Sequence, residues 1–116
     1  TTARDMATLA RAYLRSHPQA MRYHSLRSFR FNGRTLGATN TMLGIPGVDG
    51  LKTGWTVASG YNIIVTARRG KTRLLVVVMG GRSRAARDMV AHSLIEAGFK
   101  APASPQQVRK RMRGVL

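Results

Sequence analysis

The chain is predicted to adopt an α+β fold, an antiparallel sheet flanked by helices. Three patterns in its 116 residues lead there: apolar residues at helical spacing near the N-terminus, two hairpin signals in the middle, and a second helical stripe near the C-terminal end.

The first helix is signalled by Thr2-Ala3-Arg4-Asp5, where the Thr2 hydroxyl suits an N-cap and Asp5 suits the positive end of the helix dipole. Met6, Leu9, Ala10, Tyr13 and Leu14 then form one apolar stripe, and His17-Pro18 closes it, because the residue before a proline is pushed out of the helical region. From Ser25 the period changes. Leu26, Phe29 and Phe31 lead into Asn32-Gly33, a two-residue hairpin signal, with Arg34 to Leu36 as the return strand. Residues 37–47 read as a loop, and Gly47 to Gly54 as a short strand bounded by glycine. Tyr61 to Arg69 and Thr72 to Met79 form a second hairpin around Gly70-Lys71. It is expected at the centre of the sheet, since Leu74 to Val78 is apolar on both faces. Gly80-Gly81 is expected to break that strand. Ser83 then caps a helix with Ala86, Met89, Val90, Leu94 and Ala97 on its apolar side, stopped by Gly98. Ala101 to Pro105 reads as a linker and Val108 to Leu116 as a basic tail, either a frayed amphipathic helix or a solvated end.

A hydrophobic content of 43% suits a globular chain, and the length suits one domain or part of one. No run approaches the ~20 apolar residues of a membrane span. Absence of cysteine excludes disulfides and thiolate metal sites. The three histidines are dispersed without paired-ligand spacing, so no metal site is expected. The formal charge of +16 attracts polyanions in general. The basic residues are scattered and nearly all arginine, which fits the codon bias of a GC-rich genome. No nucleic-acid motif accompanies them, and only Phe29, Phe31, Trp55 and Tyr61 could stack on bases. Nucleic acid is therefore not the expected partner, and a basic polyanion-binding module stays an alternative. The chain opens on a helix cap, without an export signal pattern, as a piece of a longer protein would.

Lys52-Thr53-Gly54 is the sharpest chemical feature. Adjacent strand positions offer an ammonium and a hydroxyl donor, and glycine leaves room for a ligand backbone beside the strand. K-T-G is a signature element of β-lactamases and penicillin-binding proteins. The longer string Val48 to Thr56, followed by Ser59-Gly60-Tyr61-Asn62, closely resembles serine D-Ala-D-Ala carboxypeptidases, the low-molecular-mass penicillin-binding peptidases. The likeness extends to Thr1-Thr2-Ala3-Arg4-Asp5-Met6-Ala7, which is similar to the family's S-T-A-x-D helix start. Phe31-Asn32-Gly33, Thr39-Asn40-Thr41-Met42-Leu43, and Leu74 to Gly80 with Arg87 also match in order.

The resemblance implies a β-lactamase/transpeptidase-like fold, with residues 1–100 forming the C-terminal part of a catalytic domain and residues 101–116 a linker and tail. It implies that Lys52 shapes the site's electrostatics and that Thr53 donates to the terminal carboxylate of the substrate beside Gly54. It also implies that the backbone N–H of Trp55 forms half of an oxyanion hole and that Arg87 helps recognise the carboxylate. Thr39 stands where some members carry a basic residue. The family's partners are peptidoglycan stem peptides and β-lactam antibiotics, its location the periplasm or cell envelope, and no cofactor is implied. Acylation uses the serine of S-x-x-K, assisted by S-x-N. No serine of this chain has a lysine three residues on or an asparagine two residues on. The resemblance places both elements before Thr1, so the isolated chain is expected to be inactive and to need that N-terminal part as its partner. A DD-endopeptidase or a β-lactamase on the same scaffold remains an alternative.

Overall fold

The computed structural model describes residues 1–101 and 104–115. Residues 102, 103 and 116, on which parts of the expected linker and tail fall, lie outside the described residues. Helix α1 (Ala3–Ser16) starts as its sequence dictates, with the Thr2 side chain accepting the Asp5 N–H at 3.1 Å, and ends at His17. Pro18–Ala20 then forms a 3-10 turn leading into a four-residue helix, α2 (Met21–His24), where the sequence pattern predicted no element. A 2.7 Å hydrogen bond between Tyr13 and His24 ties α2 to α1.

The first hairpin pairs β1 (Ser28–Phe31) with β2 (Arg34–Gly37), and Asn32 (φ 51°) and Gly33 (φ 73°) both adopt the left-handed conformation its turn demands. Its strands are exposed along their whole length. The second sheet has the order β3-β4-β5, antiparallel throughout, from β3 (Val48–Thr56), β4 (Gly60–Arg69) and β5 (Thr72–Gly81). β4, rather than the whole hairpin, is thus central. β5 has one strand neighbour among the described residues, and its two apolar faces are explained by helices instead: α1 packs on it, and so does α3 (Arg84–Lys100). The strand also runs through Gly80-Gly81, which were expected to break it. The register skips there against Tyr61–Ile63, with Gly80 at φ 74°, so the glycines make a bulge.

The core lies between the sheet and α3, where Ile63, Val65, Ala67 and Val76 meet Ala91 and Ile95. Each large side chain fully buried here contributes about 1.5–3 kcal/mol. Met42 and Leu43 join this core from a 3-10 turn (Thr41–Gly44) inside the expected loop, a turn capped by the Asn40 side chain on the Met42 N–H at 2.9 Å.

Two expectations for α3 are corrected. The helix does not stop at Gly98 but runs to Lys100. Gly98 sits against β5, where an added Cβ would come within 2.7 Å of Leu74. Its buried face is turned one position from the expected stripe, so that Met89 is exposed and the charged Arg87 is only 3% exposed. Of the two readings of the chain's end the helical one holds: Ser104 caps α4 (Pro105–Arg111), which packs against α3, and Met112 is buried.

Side-chain ties fix these layers. Arg69, at the end of β4, makes a bidentate pair with Glu96 of α3 at 2.6 and 3.1 Å and lies over the Phe99 ring. The fully buried Thr66 donates to Asp49 at 2.8 Å, and Arg73 grips the same carboxylate at 3.0 and 3.3 Å, linking all three strands.

Candidate active site

β3 carries Lys52-Thr53-Gly54 and, among the described residues, has β4 as its single strand neighbour. As an edge strand it turns alternate backbone N–H and C=O groups away from the sheet, available to an added strand. Strand alternation sends Lys52 and Thr53 to opposite faces. Lys52 pairs across the sheet with Ile64, whose neighbour on β5 is Val77. These residues, with Gly54, Asn62 and Met6 of α1, line a groove of about 340 Å³. The Lys52 ammonium hydrogen-bonds the Thr53 carbonyl, and no ion pair involves it among the described residues. A strongly hydrated cation without a carboxylate partner remains able to take an anionic ligand or steady a neighbouring proton transfer.

On the opposite face Thr53 is half-buried and donates to the Thr39 hydroxyl at 3.0 Å. Thr39, at the position where some family members are basic, thus contributes a hydroxyl in contact with Thr53. Trp55 follows, 55% exposed, with its ring tilted against Tyr61 at 5.8 Å. Gly54 pairs with Asn62, an amide directly ahead of the apolar run Ile63-Ile64-Val65. The Asn62 Nδ2 donates to the Gly54 and Gly60 carbonyls at 3.2 and 3.0 Å, and its Oδ1 accepts the Gly80 N–H at 2.9 Å. It therefore pins the tip of β3 to the bulge in β5.

Arg87 comes to this assembly from α3. Its Nη1 reaches the Asn62 carbonyl at 3.5 Å, the long end of the hydrogen-bond range, and its Nε donates to Asp88 at 2.8 Å. Nη2 also lies 2.8 Å from the same Asp88 oxygen, but too obliquely for a hydrogen bond, so this buried nitrogen has no hydrogen-bond partner. The second Asp88 oxygen accepts the Thr41 hydroxyl, and beside Thr41 the Asn40 Nδ2 is likewise buried and unpartnered.

The contacts close into a ring: Thr53, Thr39, the backbone to Thr41, Asp88, Arg87, Asn62, Gly54 and back to Thr53. Lys52, Thr53, Gly54 and Trp55 thus lie together on one strand end, with Arg87 one strand pair away through Asn62. Sequence reasoning had not singled out Asn62 as a site residue, nor Asp88. Asn62 left a signal, a polar side chain at the head of the apolar run Ile63-Ile64-Val65. Asp88 left none, because its partner Thr41 is distant in sequence.

Residues 1–83 match the family model described as D-alanyl-D-alanine carboxypeptidase, peptidase S11. The D-alanyl-D-alanine carboxypeptidase DacA of Escherichia coli K12 is 36% identical over 102 residues, covering 86% of this chain and 25% of that protein. DacD of the same organism is 38% identical over 100 residues, 84% of this chain and 26% of the relative. Among solved structures, penicillin-binding protein D2 from Listeria monocytogenes in its ampicillin-bound form superposes with a TM-score of 0.80 at 35% identity, over 85% of this chain and 41% of that one. Penicillin-binding protein 5 from Haemophilus influenzae gives a TM-score of 0.80 at 33% identity, over 86% of this chain and 30% of that one. The chain spans about a quarter of the length of the curated relatives it matches. It shares their fold, in part of the domain, and belongs to the D-alanyl-D-alanine carboxypeptidase family.

Proposed function

We propose that this chain supplies the carboxylate-binding and oxyanion side of a serine-type D-Ala-D-Ala carboxypeptidase acting on peptidoglycan stem peptides in the cell envelope. The observation that carries the reading is the edge strand β3, with Lys52 facing a groove on one side and the Thr53-Thr39 hydroxyl pair on the other.

The substrate's C-terminal segment adds to the free edge of β3 as a further strand, main chain to main chain. Thr53 turns its hydroxyl to the terminal carboxylate, with Thr39 as a second hydroxyl in reach of it. The Arg87 guanidinium, ion-paired with Asp88, adds its N–H donors to the same side. The serine of an S-x-x-K element, in sequence preceding Thr1, attacks the carbonyl of the penultimate D-alanine. Its proton passes by way of the lysine base to the leaving amine, the terminal D-alanine departs, and water then hydrolyses the acyl-enzyme ester. The Trp55 N–H stabilises the tetrahedral oxyanion in each step; such a donor is worth about 3–4 kcal/mol in acyl-transfer enzymes. Lys52, opposite Thr53 across the strand, faces that serine and the S-x-N element and keeps their surroundings positive.

A β-lactam carries a carboxylate beside a reactive acyl group and takes the same place; the Listeria relative named above was solved in an ampicillin-bound form. The test is incubation of the complete protein with a stem pentapeptide. Release of one D-alanine per peptide supports the reading, and hydrolysis only of a cross-linked dimer would replace it with an endopeptidase.

A further inference from the structure

Asp88 belongs to none of the motifs that mark the family, yet it is the one anion in the ring of contacts that closes around Thr53 and Gly54. Its two oxygens are divided between two elements. Oδ1 takes the Arg87 Nε at 2.8 Å from α3, and Oδ2 takes the Thr41 hydroxyl from the turn that follows Thr39. The pair with Arg87 is between helix neighbours, which point away from each other, so it is not one of the i,i+3 or i,i+4 pairs that steady a helix. Arg87 instead folds its guanidinium back toward Asp88. With the Arg87 side chain 4% exposed, no water shell replaces that carboxylate if it is removed.

We propose that Asp88 is a positioning residue for carboxylate recognition. It sets the direction of the Arg87 guanidinium, and it fastens residues 39–41 to α3 so that Thr39 meets Thr53. This rests on the reading above that Thr53 and Arg87 face the substrate carboxylate. Its chemistry is an anchor for two donors: neutralising Asp88 frees Arg87 to seek other acceptors and lets the Thr39 turn drift from β3. Its contacts run to Arg87 and Thr41 and not to Lys52 or Trp55, so the loss falls on binding of the carboxylate rather than on acyl transfer itself.

The experiment compares the complete protein with its Asp88→Asn, Asp88→Glu and Thr41→Val variants on two substrates, an acyl-D-Ala-D-Ala peptide and an acyl-D-alanine ester that has no terminal carboxylate. Losing a hydrogen bond to a charged group corresponds to about ten- to a hundredfold in binding. Asp88→Asn should raise KM for the peptide by that factor with kcat little changed, and leave kcat/KM for the ester within about twofold. Asp88→Glu should recover part of the loss. Thr41→Val keeps the ion pair and cuts only the turn, so it guards against a variant that fails to fold; it should raise the peptide KM several-fold and spare the ester. An unchanged peptide KM, or equal losses on both substrates, would overturn the assignment. Failure of the wild-type protein to process either substrate would overturn the functional reading and the assignment with it.

Discussion

Gly47 stands where the chain turns into β3, and replacing it with alanine tests how that strand is held. Its φ is +86°, and an added Cβ would lie 2.4 Å from the Arg68 carbonyl oxygen and 3.0 Å from the Arg69 Cγ. An ordinary C···O contact is about 3.3 Å or more, so backbone must move by close to an ångström. The movement pulls on the bond from the Arg68 N–H to the Gly47 carbonyl, now 2.8 Å. Left-handed strain of about 1–2 kcal/mol and the weakened bond, about 0.5–1.5 kcal/mol, bring the expected loss to about 2–3 kcal/mol. Gly70 is the control: its φ is +59°, yet nothing lies within 4 Å of an added Cβ, so Gly70→Ala carries the strain alone. Urea denaturation of the complete protein should place Gly47→Ala about 1 kcal/mol or more below Gly70→Ala, with equal m-values. Equal stabilities would refute the close approach of Gly47 to β4.

Other outcomes follow from the same contacts. Ile95 is fully buried between α3 and the sheet, so Ile95→Ala should cost about 2–5 kcal/mol in the same assay, and Ile95→Val about 0.5–1.5. Glu96 is held below the usual carboxylate range, first by its hydrogen bonds from Arg69, which outweigh the opposing effect of burial, and then by the charges of Arg69, His92 and Lys100. A depressed folded pKa means that its contribution is present above the unfolded value of 4.5 and is lost as pH falls through the folded one. Glu96→Gln should therefore narrow the gap in urea midpoint between neutral pH and pH values well below that range; an unchanged gap would show that the Arg69 pair contributes nothing.

The local signals in the sequence were those with short-range causes. Thr2 and Ser83 cap helices because a hydroxyl two or three residues ahead of free N–H groups needs no tertiary help. Asn32-Gly33 turns because both residues tolerate positive φ. Misread features all depend on what lies across space. Gly98 looked like a helix stop, but its missing side chain admits Leu74 of β5. Gly80-Gly81 looked like a strand end, but β4 continues beside them and β5 takes up its extra residue as a bulge. The apolar pattern of α3 could not announce that Arg87 would replace Met89 on the inner face, because an arginine is buried only when an acceptor waits there. In the site, Lys52-Thr53-Gly54 was legible as a motif. That it lies on an edge strand, and that Asp88 and Asn62 brace it, came from pairing and packing.

The most direct measurement of the central claim is covalent labelling of the complete protein by a fluorescent penicillin, followed over time for the wild type and for Thr53→Val. The account predicts a stable adduct with the wild type and acylation slowed about ten- to a hundredfold in the variant, the cost of one hydrogen bond to a charged carboxylate. Absence of any adduct on the wild type, or labelling at the same rate without the Thr53 hydroxyl, would contradict it.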